Sequence, residues 1–485
     1  MSESLTVLAA LLAVGVALAH VVFCIAALGV IPGRSKPSSG MAWLILILAV
    51  PVVGAVGYLL LGNTTVGRRR RGIQRDVDEQ LRLRHHSGGT EEGCGADTWS
   101  GISRLNQELG GLPLIGGNGA DILDDQLKCM AAMCREIARA QRSVHVEFYI
   151  AAWDRATADF FDELVAAAER GVAVRLLFDH LGTRGIPGYP EFLRRLDASP
   201  IRWEKMLPIA PLKGQTRRPD LRNHRKILVV DGQVAFTGSQ NLIEPGYNKP
   251  KNHRLGREWV DLMVRLQGPV VRQLETVFAT DWFAETDEDL REELRTAEPV
   301  PDDVDCQVVP SGPGYVTENN LRMFNSLIYA ATSKLSITSP YFVPDESLLY
   351  AVTTAARRGV EVELFASAEA DQFMVHHAQR SYYRALLDAG VRIWLYPAPA
   401  ILHAKHVTVD GAVAVVGSSN MDMRSFALDY EVVVVMHDAA VVSRLAEVQD
   451  NYRELSSELT LAGWRRRSWW GAYMDNVMRL TAALQ

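Results

Sequence analysis

The chain has 485 residues, with 57 acidic side chains against 51 Lys and Arg, a net charge of −6 and five cysteines. Affinity for nucleic acid rests on a basic surface that neutralises phosphates, so this balance argues against a general nucleic-acid binder. The cysteines (Cys24, Cys94, Cys129, Cys134, Cys306) are odd in number and lack metal or disulfide spacing, which suits a reducing compartment.

In chain order, residues 5–30 are almost wholly apolar, and 41–62 repeat the pattern. Each run is long enough, as a helix, to cross roughly 30 Å of hydrocarbon. A cleaved signal peptide fits the first run less well, because it has no basic leader and a second run follows. His20 reads as a packed or interfacial polar residue. Arg68, Arg69, Arg70, Arg71 and Arg75 come next, and the positive-inside rule places them and all that follows in the cytoplasm. The expected layout is a transmembrane hairpin at 1–66 and a basic juxtamembrane tether at 67–115, rich in glycine. Two α/β domains follow, at 116–295 and 296–485.

Within those domains a strand, helix, strand order occurs twice. RSVHVEFYI leads through a helix pattern to RGVAVRLLF, and KLSITSPYFVP leads through another to RGVEVELFA. Gly171 and Gly359 mark the helix ends, where a left-handed cap is favoured. The pattern predicts a mixed, largely parallel sheet in each half, the halves being related by a pseudo-twofold axis. Cys129 and Cys134 read as helix-core residues.

Inside this duplication lies a sharper one. HRKILVVDGQVAFTGSQN (224–241) and HAKHVTVDGAVAVVGSSN (403–420) are identical at ten of eighteen positions. Each reads as a hairpin, with Asp231-Gly232 or Asp410-Gly411 between two β-rich runs. His224 and Lys226 are two apart on a strand and leave the same face, as do His403 and Lys405. The two Asp belong to the motif, and their turn position favours holding the hairpin over touching a substrate. Each copy ends in Gly-Ser-x-Asn, with Ser239 and Asn241 or Ser418 and Asn420. An acid recurs downstream of each: Asp261 in EWVDLMVRL and Glu431 in DYEVVVVM.

Two neutral imidazoles facing one phosphodiester can split a hard displacement into two easier ones. One attacks phosphorus; the other gives a proton to the leaving alcohol and later takes one from the incoming nucleophile. Lys226, Lys405, Asn241 and Asn420 would offset charge on the phosphoryl oxygens, and Asp261 and Glu431 would fix the ring tautomers. No carboxylate cage or His/Cys set is visible, so neither a metal nor another cofactor is expected. Two further stretches suit a membrane face: the basic 213–226, and 464–480, where Arg465, Arg466 and Arg467 lie beside Trp464, Trp469 and Trp470.

The two His-x-Lys-x-x-x-x-Asp motifs, each followed by Gly-Ser-x-Asn, resemble the phospholipase D superfamily. YIAAWD, RNHRK, SPYFVPDESLL and SNMDMRSFALDYEV, behind two apolar N-terminal runs, narrow the resemblance to bacterial cardiolipin synthases across essentially the whole chain. That resemblance implies transfer of a phosphatidyl group between two phosphatidylglycerol molecules through a phosphohistidine, at the cytoplasmic membrane and on anionic lipid. It also implies His224 as nucleophile and His403 as general acid. Arg222 and Asn223 before the first motif, and Asp422, Arg424 and Ser425 after the second, match the family. Ser239 stands where many relatives have a second glycine. A phospholipase D using water, a different phosphatidyltransferase, a nuclease and a non-catalytic scaffold are the competing readings. The charge and the apolar runs count against the nuclease, and the intact motifs against the scaffold.

Overall fold

Each repeated motif folds as the tight hairpin its Asp-Gly pair predicts. The computed structural model describes residues 2–33, 37–62, 70, 72–73, 98–209, 218–315 and 318–480. In it Lys226–Val230 turns into Val234–Gly238, and His406–Val409 into Val413–Gly417. Asp231 and Gly232 have φ of 55° and 67°, Asp410 and Gly411 of 51° and 69°. Two successive positive φ values are what a β-turn of the twist favoured in hairpins requires at its centre, and Gly meets that need without a Cβ clash.

The chain divides into two compact units, Met1–Thr65 and Val66–Gln485. In the larger unit one sheet runs through both halves. From one edge inward come Arg202–Met206, Ala173–Asp179, Ser143–Phe148, Lys226–Val230, Val234–Gly238, Met263–Gln267 and Ile115–Leu123. From the other edge come Ser457–Leu459, Arg392–Tyr396, Glu361–Ser367, Lys334–Thr338, His406–Val409, Val413–Gly417, Asp429–His437 and Val304–Ser311. The two series mirror each other apart from the extra edge strand. They join where Ile115–Leu123 pairs antiparallel with Val304–Ser311, which marks the pseudo-twofold axis.

The strand, helix, strand units form as expected around Ala158–Glu169 and Glu346–Arg357, with Gly171 and Gly359 at φ of 90° and 94° just past the helix ends. Along the main path of this sheet only these units, with the next strand outward, pair in parallel. The hairpins and the central strands pair antiparallel, so the largely parallel sheet predicted for each half is corrected to a mixed, mainly antiparallel one. A tight turn of so few residues can join only antiparallel strands.

One apolar core lies beneath the junction, where Ile227, Val229 and Leu266 of the first half pack with Val308, Val432 and Val434 of the second. Burying each such side chain contributes about 1.5–3 kcal/mol, so the halves are held together as strongly as a domain is held internally. Residues 98–115, expected in the tether, belong to this body. Thr98–Gly110 is a helix, and Asn106 Nδ2 donates to Gln307 Oε1 at 3.1 Å. The glycine-rich run at 86–97 lies outside the described residues.

The smaller unit corrects a second expectation. Among the described residues no helix is long and apolar enough to cross a membrane, so the predicted transmembrane hairpin is withdrawn. The second apolar run is divided at Pro51 into Pro37–Ala49 and Pro51–Leu61, because proline lacks an N–H and its ring collides with the preceding turn. At 1.5 Å per residue each piece is roughly 16–20 Å long. The pieces fold back closely enough that a Cβ on Gly54 would lie 2.6 Å from Ile47 Cα. In the first run Ser2–Val30 is helical, but its side chains are described without a break only over 17–30. There His20 meets Cys24, with Nε2 and Sγ 3.4 Å apart.

Candidate active site

The two residues ahead of each motif histidine form a short strand, and each strand pairs with the opposite half. Arg222–Asn223 runs parallel to the start of Asp429–His437, and Ile401–Leu402 runs parallel to Trp259–Val260. The registers match: Arg222 lies opposite Asp429, and Ile401 opposite Trp259. Two residues later a histidine therefore meets an acid. His224 Nδ1 is 3.0 Å from Glu431 Oε1, and His403 Nδ1 is 2.6 Å from Asp261 Oδ1. The backbone repeats the exchange, His224 N–H donating to Tyr430 O at 2.9 Å and His403 N–H to Val260 O at 2.7 Å. Each imidazole is held by the half to which it does not belong.

That contact settles the tautomer of His224. Ser418 O also lies 3.1 Å from His224 Nδ1, and a carbonyl oxygen can only accept, so Nδ1 carries the proton and the lone pair sits on Nε2. Tyr149 packs edge-on to the ring, centroids 5.0 Å apart. Both histidines are buried, and burial is the main reason their pKa values fall, His224 well below the usual range and His403 to about 4. The next contribution reaches across the halves as well as within them. Lys405 adds to Lys226 in lowering His224, and Lys226 adds to Lys405 in lowering His403.

The lysines are as buried as the histidines. Lys226 Nζ donates to His224 O at 2.5 Å and Lys405 Nζ to His403 O at 2.6 Å, each bracing its own motif. Burial pushes Lys226 down to about 7 and Lys405 to about 8, despite the acids nearby. The acids themselves diverge. Burial raises Glu431 to about 7, whereas at Asp261 the effect of burial is outweighed by His403, Lys405 and Ser239, which bring it to about 2. A symmetric set of groups is thus electrostatically asymmetric.

Ser239 and Ser418 clamp those acids. Ser239 Oγ donates to Asp261 Oδ1 at 2.7 Å and accepts from Leu262 N–H at 2.9 Å. Ser418 Oγ donates to Glu431 Oε2 and accepts from Val432 N–H at 3.0 Å. The motif glycine before each serine lets the strands close up: a Cβ on Gly417 would lie 2.3 Å from Val432 O. Asn241 accepts from Ile150 N–H at 3.2 Å and donates to Tyr247 at 2.8 Å, so it is also a strut between hairpin and aromatic wall. Asn420 is buried at the equivalent position of the second motif, and its Oδ1 has no hydrogen-bond partner among the described residues.

Asp231 and Asp410, the motif acids read from the sequence as holding the hairpins, do not join this cluster. They stand at the far end of the hairpins, a strand's length away. Asp231 accepts from the N–H groups of Gln141, Arg142 and Ser143 at 2.8–3.0 Å. Asp410 accepts likewise from Thr332, Ser333 and Lys334 at 2.7–2.8 Å. Both latch the turn to the start of the neighbouring strand.

Several arginines expected at a lipid face are spent internally. Arg222 pairs with Asp179 at 3.0 Å. Arg225 pairs with Asp281, and Arg70 reaches the same carboxylate at 2.7 Å, while both guanidinium groups lie over the Tyr430 ring. Residues 213–217 of the basic stretch, and Arg68, Arg69 and Arg71, lie outside the described residues. Asn223 donates to buried Glu147 at 3.0 Å and Arg424 donates to Asp220 O at 3.1 Å. Tyr149, Glu147, Asp179, Asp281 and Tyr247 escape the sequence reading. The usable signal for Asp179 is an acid at the carboxyl end of an apolar strand. Among the described residues no group of three or more His, Cys, Asp or Glu is arranged to hold a metal ion.

This arrangement has relatives. Residues 133–282 and 324–452 match a family model described as cardiolipin synthase, phospholipase D-like domain, and residues 12–63 match one described as phospholipase D–nuclease N-terminal. The chain is 34% identical over 454 residues to cardiolipin synthase A of Yersinia pseudotuberculosis serotype O:1b, covering 90% of each protein. It is 33% identical over 463 residues to cardiolipin synthase A of Erwinia tasmaniensis, covering 92% of each. Among solved structures, phosphatidylserine synthase of Haemophilus influenzae Rd KW20 matches 79% of this chain and 97% of its own, with a TM-score of 0.57 at 15% identity, a likeness of fold.

Proposed function

The chain belongs to the cardiolipin synthases built on phospholipase D-like domains and is a phosphatidyltransferase; we propose that it moves the phosphatidyl group of one phosphatidylglycerol onto the glycerol hydroxyl of a second. His224 Nε2 attacks phosphorus, the bond to the headgroup oxygen breaks, and His403 gives that oxygen its proton as glycerol departs. The hydroxyl of the second phosphatidylglycerol then passes its proton to His403 and attacks the phosphohistidine, releasing cardiolipin and freeing His224. Lys226 and Lys405, with the amides of Asn241 and Asn420, offset the charge on the phosphoryl oxygens.

The crossed pairing of His224 with Glu431 and His403 with Asp261 carries this reading, because it commits one imidazole from each half to a common junction. The unequal acids support the division of labour. Asp261, ionised beside His403, stabilises the imidazolium that His403 must form, whereas His224 needs only its neutral lone pair. A phosphodiester anion in the cleft also favours a proton on His403. The body acts on anionic lipid at the cytoplasmic face of the bacterial membrane, and nucleic acid is not a partner. Incubating the protein with phosphatidylglycerol vesicles tests the reading: cardiolipin and glycerol should appear in equal amounts, and phosphatidic acid as the main product would overturn it.

A further inference from the structure

The helix Trp469–Arg479 is fastened to the body by one face and leaves the other bare. Ser468 caps it by accepting from Gly471 N–H. Its inner face docks on the helix Phe373–Ala389 through Asp475, which is fully buried and accepts from Arg467 Nη1 at 2.6 Å and His377 Nδ1 at 2.7 Å. Met478 packs with Val375, Ala378 and Tyr382. Trp464, just upstream, is buried with Arg467 and Arg380 over its ring. A buried carboxylate satisfied by two basic groups is expensive to release, so the helix cannot roll to hide its outer face.

That outer face is aromatic. Trp469, Trp470 and Tyr473 are 76%, 57% and 52% exposed and lie against one another. Phe373 and Met374, at the start of the helix beneath, are 62% and 42% exposed. Arg465 and Arg466, a few residues upstream of Trp469, are exposed as well. Contiguous apolar surface of this kind, flanked by cations, fits the headgroup layer of a bilayer, where rings are half-buried and arginines meet phosphate. A second copy of the chain fits worse, since a twofold contact through this face would set these arginines against their own counterparts.

The face is also tied to the active-site hairpin through bonded neighbours. Gln372, next to Phe373, donates to Tyr341 Oη at 3.3 Å, and that hydroxyl donates to Asp371 at 2.7 Å. Phe342 pairs with Met421, the residue after Asn420. We infer that Trp469, Trp470, Tyr473, Phe373 and Met374 seat the body on an anionic phospholipid bilayer, with Arg465 and Arg466 on its phosphates, so that the site opens toward lipid. The inference deepens the function proposed above, since it supposes substrates drawn from that bilayer.

The experiment compares the tryptophan fluorescence of the full chain with that of Trp469→Phe/Trp470→Phe, a pair chosen to keep the helix apolar. The difference between the two reports only those rings. In vesicles of phosphatidylglycerol brominated on its acyl chains, more than half of that difference signal should be quenched. Zwitterionic brominated phosphatidylcholine, or the added changes Arg465→Glu/Arg466→Glu, should lower the quenching at least threefold. A difference signal untouched by brominated lipid overturns the proposal. So does equal quenching by both lipids, or a change that follows protein concentration without vesicles, which marks self-association. Products are read in the same vesicles: cardiolipin without quenching rejects the docking face alone, and quenching with phosphatidic acid rejects the transferase reading alone.

Discussion

His224 and Glu431 stand 207 residues apart in the chain and are hydrogen-bonded at 3.0 Å; His403 and Asp261, 142 residues apart, repeat the bond at 2.6 Å. Neither half by itself pairs its motif histidine with an acid. A fragment carrying one motif would keep its imidazole and lose the carboxylate that orients it. The dependence is mutual and runs through the two short parallel strands that place each histidine on the other half's acid strand.

Asp261→Asn should expose that dependence. The amide can offer an N–H to His403 Nδ1, favouring the wrong tautomer and leaving no charge for the imidazolium. By analogy with histidine–carboxylate pairs elsewhere, kcat should fall about 10²–10⁴-fold while KM changes little. Steady-state kinetics on mixed micelles, with the melting temperature measured alongside, separates this from unfolding. A matched loss of stability and unchanged kcat would contradict the positioning role.

Removing either imidazole should abolish turnover. With His224→Ala no phosphoryl acceptor remains; with His403→Ala the leaving glycerol lacks its proton. Phosphatidylglycerol labelled at phosphorus, quenched early in turnover of the unaltered enzyme, should leave label on the peptide containing residue 224. Label on the peptide containing residue 403 would reverse the assignment, and substantial activity in either variant would end the paired-histidine scheme.

The latching acids should behave otherwise. Asp231→Ala removes the acceptor for three backbone N–H groups and should cost about 2–4 kcal/mol of stability, with normal kcat in the folded fraction. Asp410 adds a pH signature. Burial alone would raise it, but the N–H groups of Thr332, Ser333 and Lys334 bring it down to about 2. A carboxylate depressed on folding contributes stability above its unfolded pKa of about 4 and loses it as pH falls through about 2. Urea titrations of Asp410→Ala and the unaltered chain should therefore converge in acid. A constant gap between them would refute this.

The lysines predict the alkaline side. Both are charged below about pH 7, and both are neutral above about pH 8. Affinity for an anion in the cleft should be strongest at the low end and weaken across that window. A bound anion in turn raises both pKa values, so kcat should hold to higher pH than kcat/KM. Competitive inhibition by tungstate, a dianion throughout, measured from pH 6 to 9, checks the direction. Inhibition that strengthens with rising pH would exclude a charge role for Lys226 and Lys405.

The sequence by itself determined the parts with local causes. Asp-Gly pairs wrote the hairpins, because two positive φ values in succession suit few other residues. Alternation by two put His224 with Lys226, and His403 with Lys405, on one face. The strand, helix, strand units followed from periodicity and their capping glycines. Asp261 and Glu431 were visible as acids opening apolar strands, yet nothing in the sequence said which histidine each would meet. Only the tertiary structure decided that exchange, because it depends on how two halves pack across a shared core. The same packing buried Arg70 and Arg225 against Asp281, where the linear pattern reads the one as juxtamembrane and the other as lipid-facing. Local chemistry fixes dihedrals and faces; partners more than a hundred residues away are chosen by the summed burial of both halves.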